Sequence, residues 1–442
     1  MPSRKHHGDV LQLRADLWRV PFIMCLAAVL LFILTVTVDR EAARGVVRLP
    51  RWISVGGPDD ARAILGAMLG AVSTVLALIF SVALLVLSMA VSNFGPRILY
   101  RFVSDGVTQL TIGLFLASFV HIMLSFVVTR QEGGHLFVPQ LTLMCDVAMV
   151  MTSFVFIVIF SHRIAMSIQT QNVVAHIVGD LDHALEERVE ETRSIALLPQ
   201  ARAAERESLL PRFASEGAVL QAPLTGFVQE VGLHRLLAAA ERADAVVQLV
   251  LRPGQFVMEG APLAQVLPAA AAAILAPAIE REVLIGRHRT LKQDVEFGIA
   301  QLVEIALRAL SPAVNDTFTG LTCVDWLGDE LRAFSSFVDD TGACLGSGNT
   351  IRLLWPPLRI ARLTGSAFNQ IRQAAAGNPA VSIRLLQTLA RLADQVKDVR
   401  FREALSLQVD AVWEQVSAEN LVKSDRTDVE IAYRRACEAL GR

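Results

Sequence analysis

ILGAMLGAVSTVLALIFSVALLVLSMAV, residues 64–91, is the stretch that decides the fold. It runs 28 residues without a charge, where about 20 apolar residues suffice for a helix to cross a bilayer. A helix of this length spans with tilt or projects beyond the hydrocarbon. Small and hydroxylic residues recur along it at Gly66, Gly70, Ser73, Ala77, Ser81, Ser88 and Ser92. Their spacing places them near one stripe of the helix. The stripe has two readings. It is a seam where another helix packs closely, or, in an assembly of several copies, it lines a water path.

Three further apolar runs flank this one, at about 18–38, 107–128 and 140–160. Together they define an α-helical membrane domain of four transmembrane helices over residues 1–165. The first run exceeds a signal-peptide core and lacks a small-x-small cleavage site, so it reads as a retained helix. Asp59 and Asp60 follow Gly56-Gly57-Pro58 and suit the start of the second helix, where their charge complements the dipole. Asn93-Phe94-Gly95-Pro96 ends it. Arg44, Arg48 and Arg51, with Trp52, suggest a short helix lying on the lipid surface in the loop at 39–62. An even number of spans puts both termini on one side. Arg4, Lys5 and Arg14 place that side in the cytoplasm, although the five Arg of the first loop count the other way.

Composition sets the remaining bounds. Hydrophobic residues make up 53% of the chain and charged residues 19%, with the apolar excess concentrated before residue 165. A net charge of −2 predicts no broad attraction to nucleic acid. Five cysteines, none in a CxxC pair or metal-knuckle spacing, suggest neither a zinc site nor a disulfide framework. No phosphate-binding loop, nucleophile elbow, HExxH or dinucleotide fingerprint occurs. The reading therefore names no catalytic residue, no cofactor and no metal ligand.

Beyond the membrane domain the chain reads as an α+β region. Residues 166–212 are a juxtamembrane helix and linker, with 162–204 read as one long helix. His176, Asp180 and His183 have the spacing of a helical metal face, but a closed zinc site needs a fourth ligand, and a solvated face is the preferred reading. Residues 213–270 alternate short β-type runs with Gly and Pro, around a helix near 233–242. The runs containing Pro223-Leu224-Thr225-Gly226 and Pro253-Gly254-Gln255-Phe256-Val257 resemble the barrel-sandwich repeat of biotinyl and lipoyl domains. Those domains carry their cofactor on a Lys, and no Lys lies between 204 and 291. Residues 278–442 read as a helical domain of six or so helices.

The densest motif is QDVEFGIAQLVEIALRALSPAVND, residues 293–316. Asp294, Gly298, Gln301, Ile305 and Arg308 share one helical face. Gly298 inside a helix costs about 1 kcal/mol against Ala, which points to a close backbone contact. Asn315 or Asp316 suits the cap of the next helix. Asp294, Gln301, Arg308, Asn315 and Asp316 are read as a polar cluster, either a packing network or a ligand or catalytic site. This motif, with Phe94-Gly95-Pro96-Arg97-Ile98-Leu99, Gln370-Ile371-Arg372 and Arg384-Leu385-Leu386, resembles the bacterial membrane proteins grouped as domain of unknown function 2254. The resemblance covers roughly residues 10–430. It implies a four-span inner-membrane protein with a cytoplasmic C-terminal region, and it carries no activity. Thr317 and Gly320 stand where the family more often has Pro and Ala.

His121 and Asp146 are ionisable residues inside spans. Counted from the outer ends of their antiparallel helices they fall at similar depth, which suggests a pair. Three functional readings follow. The first is an oligomeric, channel-like or conformationally responsive membrane protein with a cytoplasmic regulatory domain. The second is a membrane-anchored sensor or scaffold for a protein or small ligand, and the third a membrane enzyme. Expected partners are the lipid bilayer and further copies of the chain; the ligand is not identified by sequence.

Overall fold

The structure, a computed structural model, describes residues 18–46, 57–94, 105–129, 131–132, 135–167, 169–193, 195–335 and 341–442. The surface helix expected around Arg48, Arg51 and Trp52, and most of the 94–99 motif, lie outside these residues. The chain divides into two units, Met1–Asn172 and Val173–Arg442.

Four helices of the first unit are long and apolar enough to cross a membrane. They are α1 (Arg19–Ala43), α2 (Pro58–Phe94), α3 (Gly106–Val128) and α4 (Gln140–Ser167). The pair α3 and α4 is joined through a short hairpin, β1 (Gln131–Glu132) and β2 (His135–Leu136). The central helix is α3, which packs against the other three. Asp105 starts it by accepting from Thr108 N at 2.8 Å. Gly113 lets α1 approach: a Cβ there would meet Met24 Sδ at 2.6 Å and the Pro21 Cα at 3.1 Å. On α2 the buried face is apolar, with Leu65, Val72, Ile79 and Val86.

Helix α1 runs past its expected end at 38 because Asp39 is buried within the unit instead of opening a loop. Its carboxylate accepts from Leu141 N and Thr142 N, each at 2.9 Å, and from Thr142 Oγ1 at 2.7 Å. The end of α1 thereby satisfies orphan donors at the start of α4. Arg62 Nε donates to Thr129 O at 2.8 Å, tying α2 to the end of α3.

The single helix expected over 162–204 is instead two. One is α4, ending at Ser167, and the other is α5 (Thr170–Arg193). Gln169 N and Asn172 Nδ2 both donate to Met166 O, at 3.3 and 2.9 Å, and so close off α4. Within the expected linker, α6 (Ala203–Glu216) forms with Pro211 inside it.

The second unit holds two sheets. Their strands are β3 (Ala218–Gln221), β4 (Gly226–Val231), β5 (Val246–Leu249), β6 (Phe256–Val257), β7 (Pro262–Leu267), β8 (Val283–Gly286), β9 (Ala343–Leu345) and β10 (Ile351–Leu354). One sheet has the order β3-β7-β5-β10-β9 and the other β6-β4-β8. All pairings are antiparallel except β5 with β10, which is parallel. The β region is therefore not self-contained within 213–270. Without β10, the non-β7 side of β5 would be an open edge, and β10 closes it from about a hundred residues downstream. Val247, Leu353 and Cys344 share one core with Leu236 of α7 (Leu233–Arg242) and Leu275 of α8 (Ala272–Glu282).

Six further helices complete the unit among the described residues: α9 (Val295–Ala309), α10 (Thr317–Phe334), α11 (Ile360–Ala374), α12 (Pro379–Gln395), α13 (Val399–Ala418) and α14 (Lys423–Ala439). Glycines set two of their seams. A Cβ on Gly298 of α9 would meet Leu181 Cδ1 of α5 at 2.7 Å, and one on Gly328 of α10 would collide with Thr388 Cγ2 of α12.

Candidate functional site

The interior of the membrane unit carries a polar seam between α3 and α4. Ser118, His121 and Ser125 on α3, and Thr142, Asp146 and Ser153 on α4, are all fully buried. Side-chain contacts bridge the helices. His121 Nδ1 lies 2.6 Å from Asp146 Oδ1, and Ser118 Oγ lies 3.1 Å from Ser153 Oγ. The serine hydroxyls also bond within their own helices, Ser118 to Leu114 O, Ser153 to Met149 O and Ser125 to His121 O, which satisfies them without water. Phe32 of α1 closes the site with its ring edge-on to His121, centroids 5.8 Å apart. The far sides of the pair are open valences: His121 Nε2 and Asp146 Oδ2 make no hydrogen bond among the described residues. Enclosing two polar side chains in an apolar interior is costly unless they bond each other, and the Nδ1–Oδ1 contact provides that bond.

The stripe on α2 lies elsewhere. Gly66, Gly70, Ser73, Ala77, Ser81 and Ser88 are all exposed within the single chain. Added Cβ atoms on Gly66 and Gly70 would meet nothing within 4 Å. Ser73 and Ser81 bond back to Leu69 O and Ala77 O. The Ser92 side chain falls outside the described residues.

The motif at 293–316 builds two separate helix starts. Asp294 caps α9 by accepting from Phe297 N at 3.2 Å, and it pairs with Arg289 through two bonds of 2.7 and 2.9 Å. Burial pushes its carboxyl above the usual carboxylate range, against the opposing pull of Arg289. It is packed against the backbone of Gly254, whose φ of +88° and lack of a side chain make room for it. Asp316 caps α10 by accepting from Thr319 N at 3.1 Å, after Asn315 turns the chain at φ +51°. Arg308 pairs with Glu304 at 3.2 Å, and Gln301 is half-buried midway along α9. Asp294 and Arg308 share a face, but 14 residues of helix separate them by about 21 Å. The five residues do not meet in one cluster.

A family model described as "Predicted membrane protein (DUF2254)" matches residues 14–391. The chain belongs to this family. Among its relatives are the uncharacterised proteins Rv1290c of Mycobacterium tuberculosis and Mb1321c of Mycobacterium bovis. Each is 30% identical over 403 residues, covering 88% of this chain and 74% of the relative. No solved structure matches the chain.

In this DUF2254 chain the other candidate residues occupy ordinary settings. His176, Asp180 and His183 sit on the exposed side of α5, and His183 lies 3.7 Å from Glu187. Burial pushes the Cys323 and Cys344 thiols up to about 12, so neither is a thiolate nucleophile at neutral pH. Sequence reasoning singled out His121 and Asp146 and missed the hydroxyls around them. A signal was present: Ser118 and Ser125 stand about one turn either side of His121, and Thr142 and Ser153 one and two turns from Asp146, so all share the pair's face.

Proposed function

We propose that this protein is a conformationally responsive membrane protein, assembled from more than one copy, whose membrane unit is set by the protonation of His121 and Asp146. The observation that carries this reading is the fully buried 2.6 Å contact between them, with an unbonded nitrogen and oxygen on either side. Adding or removing one proton there changes the charge of a site with little solvent to screen it. The bridge between α3 and α4 then strengthens or fails, and the serine contact beside it follows. The outward Gly66–Ser88 stripe on α2 is the surface we assign to contact between copies. In the channel-like version this surface borders a water path; in the sensor version it only packs. Basic residues Arg4, Lys5 and Arg14, the bacterial relatives and the free cysteines support an inner-membrane protein with both termini, and the C-terminal unit, in the cytoplasm.

The test uses membranes holding the full chain without its native cysteines, with Ser73, Ser81 or Ser88 changed singly to Cys. Thiol labelling and cross-linking between copies are followed from pH 5 to 8. The expected result is a pH-dependent change that His121→Gln and Asp146→Asn abolish to the same extent. Labelling that responds to pH equally in the parent and both variants would overturn the proton-linked reading. Cysteines that never cross-link would overturn the assigned surface.

A further inference from the structure

We propose that a cavity in the C-terminal unit, lined by Arg206, Arg252, Arg359 and Arg362, binds a small phosphate-bearing molecule. The cavity measures about 750 Å³, within the range of roughly 300–1,000 Å³ common for small-molecule sites. Its place follows from the parallel pairing of β5 and β10, in which Leu353 and Leu354 sit opposite Val247 and Gln248. Because the two strands run the same way, their carboxyl ends open together. The chain leaving each contributes to the walls: Val250 and Arg252 after β5, Trp355 and Pro356 after β10. Ligand sites of open α/β sheets form at such carboxyl edges for the same geometric reason.

The charges favour an anion. Arg252 and Arg362 share a single carboxylate, Glu296, at 2.6 and 2.9 Å. Arg206 has Glu207 at 2.6 Å. Arg359 has no carboxylate partner among the described residues. Four guanidiniums therefore face two carboxylates, and the cavity keeps an excess of positive charge. Arg359 is also the N-cap of α11, and its side chain makes no capping bond. Ala361 and Arg362 line the cavity from the first turn of that 15-residue helix, so its positive dipole end adds to the guanidiniums. A planar guanidinium fork matches phosphate oxygens in pairs.

The lining is not only cationic: Gln248 adds an amide, which suits a molecule carrying a hydroxyl or amine beside its anionic oxygens. The apolar wall at Leu354 and Trp355, and a volume well above that of inorganic phosphate, fit an organic phosphate ester. The motif at 293–316 supports the site through Glu296, which holds two of its arginines. This inference does not rest on the membrane pair.

The full chain in detergent is titrated calorimetrically with pyrophosphate, with AMP, and with a short-chain phosphatidylglycerol. Binding of either soluble probe supports the proposal with a free phosphate ester as ligand; binding of the lipid alone supports it with a headgroup as ligand. In both cases affinity falls with added salt, and Arg359→Gln weakens binding by about tenfold, the scale of one charged hydrogen bond. Arg359 is exposed and has no ion-pair partner among the described residues, so its variant keeps the fold, which a thermal unfolding curve verifies. Gln248→Leu is the second variant and weakens AMP more than pyrophosphate. The proposal is overturned if no probe binds the parent at millimolar concentration, or if both variants bind as tightly as the parent.

Discussion

Glu330 on α10 is 1% exposed, and neither of its carboxyl oxygens has a hydrogen-bond partner among the described residues. Burial first, then the charges of Asp182 and Asp329, push its pKa from 4.5 to about 8, with Arg332 pulling the other way. The folded state therefore keeps a proton that the unfolded chain gives up above pH 4.5. Between those two values the native state binds more protons, so stability falls as pH rises and levels off above about 8. At 1.36 kcal/mol per pKa unit the full span is about 5 kcal/mol, of which about 4 kcal/mol lies between pH 5 and 9. Glu330→Gln replaces the protonated carboxyl with a neutral group of the same shape and removes this slope. The assay is chemical unfolding of the full chain in detergent at a series of pH values, read by tryptophan fluorescence; Trp326, Trp355 and Trp413 all lie in the C-terminal unit. Parent and variant should nearly coincide at pH 5. By pH 9 the variant should be more stable by a few kcal/mol. Parallel profiles across the whole range would refute the claim that Glu330 is held protonated by burial.

Two other substitutions test the packing. Asp39→Ala strands the Leu141 and Thr142 N–H groups in a buried site, at about 1–3 kcal/mol for each donor left unsatisfied. Thermal unfolding in detergent should show a clear loss, and Asp39→Asn, which keeps an acceptor oxygen, a smaller one; equal losses would mean that capping is not Asp39's contribution. Gly328→Ala drives a methyl into Thr388 Cγ2, and a β-branched side chain has little rotamer freedom with which to yield. The expected cost is about 1–3 kcal/mol, and adding Thr388→Ser, which deletes that methyl but keeps the hydroxyl bonded to Arg391, should restore most of it.

What the sequence discloses depends on how far a signal must reach along the chain. The spans are legible because an uncharged run of 28 residues has few soluble alternatives. Asp316 is legible as a cap because capping is settled within three residues. The placing of His121 beside Asp146 follows from depth counting, since antiparallel helices joined by a short hairpin have a nearly fixed register. The supposed cluster at 293–316 shows where such arithmetic stops: helical spacing fixes a shared face but leaves about 21 Å of axis between Asp294 and Arg308. Asp39 follows the apolar run and reads as the start of the loop at 39–62, and only the partner helix a hundred residues on gives it a buried role.

The arginine cavity is the extreme case. Arg206, Arg252, Arg359 and Arg362 lie on separate segments, and none belongs to a motif that spacing could flag. They meet because β10 pairs with β5, and β10 is only four residues, IRLL, set between a glycine-rich turn and Trp355-Pro356-Pro357. So short a run carries too little periodicity to separate strand from helix. Its pairing is decided by the free edge of β5 and by the shared core of Val247 and Leu353, both long-range facts. The same dependence makes the site testable through the sheet. A polar group at Leu353, facing that core, should disturb the cavity by shifting β10, whereas Arg359→Gln should remove one charge and leave the sheet as it is.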